Sequence, residues 1–209
     1  MFSHIDPKNY DQQLADKQKE MAKLFADFNG PEFEIYSSEP INYRQRAEFR
    51  LWHDGDDLYY IMFDSKTKQK FKVTEFPVAS LLVNQLMSAL LVEIKDKPVL
   101  RQRLFQVDFL TSLSGEAVIS MLYHKQLDDE WQVQSKALKE VLSKIAPLNI
   151  IGRAKKQKFV VEQDFIIEKL TVGEKSFQYQ QVENSFTQPN AKVNEQMLLW
   201  AQQATANHS

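Results

Sequence analysis

Apolar and polar residues change their spacing several times along the chain, and each change predicts an element. Over residues 8–28, Tyr10, Leu14, Met21, Leu24, Phe25 and Phe28 recur at helical spacing among Lys, Asp and Gln, and Gly30-Pro31 is expected to end that helix. Period two takes over at 42–52, with Tyr43, Ala47, Phe49 and Leu51 on one side of a strand and Arg44, Arg46, Glu48 and Arg50 on the other. Asp54-Gly55 signals a hairpin, with 58–64 as the return strand. Behind it, Lys66, Lys68, Lys70 and Lys72 stand two residues apart, so an extended backbone would place four ammonium groups on one face. Residues 78–94 read as a mostly buried helix carrying Leu82, Leu86, Met87, Leu90 and Leu91. Strands at 104–113 and 116–123 flank the turn residues Ser114-Gly115. A helix over 128–145 is capped by Asp128 or Asp129, with Trp131, Leu138, Val141, Leu142 and Ile145 as its stripe. Residues 149–161 read as one strand bearing Arg153, Lys155, Lys156 and Lys158. A short polar stretch leads to SFQYQQVENSFTQPN, residues 176–190, and a helix over 191–204 follows, capped by Asn190, with Val193, Met197, Trp200 and Ala201 inward. This order predicts an α+β fold: an antiparallel-rich mixed sheet with helices packed mainly on one face.

Composition narrows the chemistry. The 209 residues suffice for a core that hides roughly 70% of the surface an unfolded chain exposes. There is no cysteine, which excludes a disulfide, a thiolate zinc site, an iron–sulfur cluster and a cysteine nucleophile within this chain. The N-terminus lacks a basic head followed by an apolar run, and the apolar stretch over 78–94 is interrupted by Ser80, Asn84, Gln85, Ser88 and Glu93. The expectation is a cytoplasmic protein without a membrane span. The histidines (4, 53, 124, 208) have no metal-ligand spacing, and glycines 30, 55, 115, 152 and 173 are too far apart for a nucleotide-phosphate loop. No metal site and no catalytic triad is expected. The net charge of −2 gives no global case for a nucleic-acid partner, so any such site has to come from local patterning.

Three local patterns qualify. The Arg44, Arg46, Glu48, Arg50 face beside the lysines Lys66, Lys68 and Lys70 would let phosphates displace counterions; the same pattern also describes a solvated sheet edge blunted with lysine. Phe105-Gln106 opens one strand and Tyr123-His124-Lys125 closes the next, where an aromatic could meet an unstacked base; the pattern alone favours Phe105 as a core residue and His124 as an ordinary surface residue. The amide- and hydroxyl-rich segment 181–190 could present side chains to a ligand, or simply cap the helix after it.

Longer stretches decide between these. YRQRAEFRLWHDGDDLYYIMFD (43–64), NQLM (84–87), PVLRQRLFQVDFLT (98–111), MLYHKQLDDEW (121–131), IIGRAKK (150–156) and QVENSFTQPNA (181–191) together resemble the N-terminal part of the bacterial tRNA (uracil-5-)-methyltransferases, which form ribothymidine in the T loop. The resemblance implies a T-arm-binding α+β domain over 1–180, followed in 181–209 by a linker motif and the first helix of an S-adenosylmethionine-dependent methyltransferase domain. It places the family's nucleophilic cysteine, its glutamate base and the main cofactor loop beyond this sequence. Glu48, Arg50, Phe105 and His124 match family residues at the RNA interface, Phe105 as the stacking group, and Gln188 matches a glutamine that reaches the cofactor and target base. With them, Arg44, Arg46, Lys66, Lys68, Lys70 and Gln106 are read as RNA-binding. Relatives acting on ribosomal RNA add a barrel domain and a cysteine cluster, neither of which is visible here, which favours the tRNA branch. The implied partner is the T arm of tRNA, or another RNA with a T-like loop, bound by a monomer. The alternative is a T-arm-binding or folding module that works without catalysis.

Overall fold

The structure, a computed structural model, describes residues 2, 5–64 and 66–206; His4 and His208 lie outside them. Among the described residues a 3-10 turn (Pro7–Asn9) leads into α1 (Tyr10–Leu24), followed by β1 (Arg46–Asp54), β2 (Asp57–Phe63), β3 (Lys70–Val73), α2 (Leu81–Ile94) and the short α3 (Pro98–Arg101). Next come β4 (Leu104–Thr111), β5 (Ala117–Tyr123), α4 (Asp129–Leu142), β6 (Leu148–Ala154), β7 (Gln157–Val160), β8 (Phe165–Val172), β9 (Lys175–Val182) and α5 (Ala191–Thr205). β1–β7 form a seven-stranded sheet in the order β3-β2-β1-β4-β5-β6-β7, and β8-β9 form a separate hairpin. Only the β5–β6 pair of the large sheet is parallel, as the α4 crossover between them requires. The fold is thus α+β with a mixed sheet.

Period two explains the two faces of that sheet. Ala47, Phe49, Tyr60, Val73, Val107, Phe109, Ile119, Met121 and Ile150 all point to one side, where Leu86, Leu90 and Ile94 of α2 and Trp131, Leu138 and Leu142 of α4 cover them. Each covering helix has a side-chain cap: Ser80 Oγ accepts from Val83 N and Asp128 Oδ1 from Trp131 N. α4 sits so close that a Cβ on Gly152 of β6 would run into the indole of Trp131, so only glycine fits there. No helix among the described residues is long and apolar enough to cross a membrane.

Several expectations are corrected. α1 stops at Leu24 and buries none of its residues; Met21, Leu24, Phe25 and Phe28 instead stay exposed, and Phe25 and Phe28 line a groove that Met197 and Trp200 of α5 close from the other side. α5 buries Ala191 and Glu195 against the β8-β9 hairpin, not the expected Met197, Trp200 and Ala201. The expected single strand over 149–161 is the hairpin β6-β7, with Lys155-Lys156 at its turn and Lys156 at φ 60°. The β8-β9 hairpin stands where a polar stretch was expected, turning at Gly173 with φ 61°.

Candidate nucleic-acid interface

Among the described residues, no helix covers the second face of the large sheet. Cross-strand register puts Lys72, Ile61, Arg50, Gln106, Leu122, Arg153 and Lys158 in one row from β3 to β7. Cations from both edges therefore converge on one surface, as the alternation at 42–52 predicts for Arg46, Glu48 and Arg50. The surface divides into two halves with different fates.

Over β4–β6 it is covered. Leu110, Val118 and Ile151 are buried beneath Ile166 of β8. Glu183, just after β9, is the anchor: it accepts from Ser120 Oγ at 2.9 Å and from Arg153 Nε at 2.7 Å, and Lys158 Nζ lies 3.7 Å away. Burial would raise the Glu183 carboxyl, but the hydrogen bonds from Arg153 and Ser120 and the nearby cations outweigh it and hold the group below its ordinary value. The hydrogen bond to Glu183 raises the Arg153 guanidinium in return. Arg46 is also engaged, donating to Ser185 O at 2.7 Å and pairing with Glu48 at 3.2 Å.

Over β1–β3 the face is open. Arg50, Lys70 and Lys72 have no carboxylate within ion-pair distance among the described residues. Phe105 occupies a bulge where the β4–β5 register slips between Leu104 and Gln106. The bulge turns both Phe105 and Gln106 outward while Leu104 stays in the core. The Phe105 ring stacks on the His124 imidazole, with centroids 3.9 Å apart and planes 11° apart, at the mouth of a cavity of about 650 Å³ that Arg153 and Lys155 also line. Gln106 Nε2 donates to Asp108 at 2.8 Å. Burial, opposed by that hydrogen bond and reinforced by Glu48, pushes Asp108 up to about 6.

The structure does not bring all the expected residues together. Arg44 precedes β1, with its Nε donating to the carbonyl of Arg46, so it does not stand on the strand face. The expected row of four lysines is broken: Asp64 Oδ1 accepts from Lys66 N and Thr67 N, and Lys68 adopts φ 59°, so Lys66 and Lys68 sit in a turn and only Lys70 and Lys72 belong to β3. Gln188 lies at the other end of β1 from Phe105, next to the segment whose Pro189 carbonyl accepts from Gln45 N. From Arg46 to Trp52 is roughly 20 Å at ~3.3 Å per residue. Sequence reasoning missed the aromatics of this face, Trp52, Tyr59 and Phe63. Strand parity marks Trp52, which stands with Arg46 and Arg50 on the even positions of β1.

S-adenosylmethionine, implied by the resemblance, needs acceptors for its ribose hydroxyls and ammonium group. Gln188 borders a groove of about 920 Å³ with Phe177, Tyr179, Phe186 and Leu198, but none of its lining residues is acidic and none is glycine. Gln188 Nε2 meets only the sulfur of Met197, at 3.7 Å. The residues present do not compose a site for that cofactor.

The structure thus defines an α+β protein that closes one face of its sheet with helices and keeps part of the other free. The family model described as tRNA (Uracil-5-)-methyltransferase matches residues 9–209, and the chain belongs to that family. It is 68% identical over 207 residues to the tRNA/tmRNA (uracil-C(5))-methyltransferase of Colwellia psychrerythraea, covering 99% of this chain and 57% of that protein. Proteins of the same name from Shewanella baltica and Shewanella sediminis are 55% and 53% identical over 203 residues, covering 97% of this chain and 56% of each. The chain therefore spans little more than half the length of these relatives.

Proposed function

We propose that the chain is the RNA-recognition part of a tRNA (uracil-C5)-methyltransferase that forms ribothymidine in the T loop with S-adenosylmethionine as methyl donor. The observation that carries this reading is the Phe105–His124 stack, raised out of the sheet by a bulge beside cations that have no acidic partner among the described residues. Flat rings that already stack on each other can part to receive an unstacked base, and the cations are placed for the flanking phosphates. In this reading Glu48 restrains Arg46 and leaves Arg50 free for phosphate, and Gln106 and His124 supply polar contacts beside the stacked base. Lys66 and Lys68 reach the backbone from their turn, and Arg44 acts through its hold on Arg46. The chain has no cysteine, so the nucleophile implied by the resemblance is not among these residues. Its contribution is to hold the RNA.

Residues 181–209 belong, in the same proposal, with the methyltransferase half. Phe25, Phe28, Met197 and Trp200 around the α1–α5 groove, and Phe186 at 90% exposure, leave an apolar surface of the kind that marks a protein contact. That half packs there and completes a cofactor site of which Gln188 forms one edge. The proposed setting is the cytoplasm, the proposed state a monomer. A second reading, a T-arm-binding or folding module without catalysis, is favoured by the closed core under the large sheet.

Binding of the purified chain to a T-arm stem-loop tests the proposal. The expected outcome is affinity that falls steeply with salt and drops about tenfold or more in Phe105→Ala. Absence of binding at low salt, from a chain that still melts cooperatively, would refute it. Methyl transfer to the stem-loop by the chain alone would overturn the assignment of chemistry to residues outside it.

A further inference from the structure

Phe105 and His124 account for only two of the rings on the open face. Trp52 of β1 stands opposite Tyr59 of β2, both on the side of Arg50 and away from the core. His53 Nε2 meets the Leu104 carbonyl at 2.8 Å, which brings the Trp52 end of β1 beside the Phe105 bulge. His124 N donates to the Arg103 carbonyl at 2.8 Å and holds that ring at the same end of the sheet. Tyr59, Trp52, Phe105 and His124 thus make a strip of rings across β2, β1, β4 and the end of β5. Trp52 is 39% and Phe63 50% exposed.

The cations are interleaved with these rings. Lys70 Nζ lies 3.0 Å from the Trp52 ring centroid, Lys72 Nζ 4.7 Å from that of Tyr59 and Arg50 Cζ 5.9 Å from that of Phe63. Such pairs occur roughly once per 70–80 residues, and here three fall within residues 50–72. The acidic turn Asp54–Asp57 bounds the strip beyond Tyr59 and repels phosphate. A bound strand would therefore place its phosphates along Lys70, Lys72 and Arg50 and its bases toward Trp52.

We infer that Trp52, Tyr59 and Phe63, with Arg50, Lys70 and Lys72, form a second stacking platform for a single-stranded RNA segment, continuous with the Phe105–His124 site. The inference rests on the RNA-binding reading above and extends it to unpaired nucleotides outside the loop held by Phe105. Charge complementarity fixes the class of occupant: the cations have no acidic partners among the described residues, and rings interleaved with cations suit bases joined by phosphates. In the free protein Lys70 shields Trp52. On binding it swings to a phosphate and releases the ring to a base, exchanging an exposed cation–π pair for a stack and an ion pair.

The test titrates the chain with three probes: an adenosine hexanucleotide, the T-arm stem-loop and a loopless RNA duplex. The hexanucleotide is expected to bind and to quench tryptophan emission. Trp52→Ala should weaken that binding about tenfold and remove the quenching, whereas Trp52→Phe, which keeps a stacking ring, should retain most of the affinity. Lys70→Ala should lower the salt slope by roughly 0.7, one phosphate contact on a single strand. Duplex binding should not respond to Trp52. Hexanucleotide binding indifferent to Trp52→Ala would overturn the platform, while stem-loop binding sensitive to Phe105→Ala would leave the T-arm reading standing. Trp52-dependent hexanucleotide binding without any stem-loop binding would support the platform and sink the T-arm reading. An oligoaspartate that competes with the same Trp52 dependence would reassign the strip to an acidic protein segment, and no binding to any RNA would refute both proposals.

Discussion

The two halves of the helix-free sheet face carry similar residues and end in opposite states. Over β4–β7, Arg153 and Lys158 are neutralised by Glu183 and Asp164, and Leu110, Val118 and Ile151 lie under the β8-β9 hairpin. Over β1–β3, Arg50, Lys70 and Lys72 meet no carboxylate among the described residues and lie against the rings of Phe63, Trp52 and Tyr59. A cation in a sequence is therefore weak evidence of a ligand; what matters is whether the fold supplies the counter-ion. Glu183 and Asp164 supply the counter-ions on one half of the face, and among the described residues no carboxylate pairs with Arg50, Lys70 or Lys72 on the other.

The largest expected effect comes from removing the charge of Glu183. Glu183→Gln removes the charge that faces half-buried Arg153 and replaces one of its two acceptor oxygens with an amide NH2, and should cost about 3 kcal/mol in urea unfolding. Arg50→Ala on the open half should leave stability within about 0.5 kcal/mol, since no ion pair is lost. Equal losses in the two variants would erase the distinction between the halves. On the packed side of the sheet, Gly152→Ala forces a methyl into the indole of Trp131 and should cost about 2 kcal/mol, read from the same unfolding curves. A neutral outcome would mean that α4 can move away from the sheet.

Asp108 sits at the seam between the halves, and its effect is smaller than those of Glu183 and Gly152. Its carboxyl rises from 3.8 to about 6 on folding, so the folded protein holds the proton more tightly than the unfolded chain. The stabilising contribution is fully present below about pH 4 and is lost as pH climbs through 6. Asp108→Asn should therefore be the more stable protein at pH 8, by about 1 kcal/mol because the group remains partly solvated, and the gain should vanish toward pH 4. A gain that does not change with pH would show that Asp108 is not the group titrating there.

Much of this contrast is legible in the sequence, for reasons particular to each residue. The alternation at 46–51 reports the pleat directly, because one side of β1 packs on Phe109 and Tyr60 and the other meets no helix. The Asp54-Gly55 turn is legible because Gly55 adopts φ 57°. The lysine row fails because a local interaction overrides period two: the Asp64 side chain captures two backbone amides and turns the chain before β3 begins. The β6-β7 turn is hidden because Lys155-Lys156 lacks turn chemistry, although Lys156 takes a positive φ. The outward aim of Phe105 depends on a bulge, which shifts parity by one residue and which alternation alone does not reveal. The neutralisation of Arg153 is out of reach of local reading, since its partner Glu183 is 30 residues away.

The most direct test of the central claim, that only the uncovered half of the face meets RNA, is lysine-reactivity footprinting of the full chain with and without a T-arm stem-loop, read by mass spectrometry. The account predicts protection of Lys70 and Lys72, with Lys139 and Lys158, which are ion-paired to Glu162 and Asp164, unchanged by RNA. Protection centred on Lys158 with Lys70 and Lys72 still reactive would contradict it.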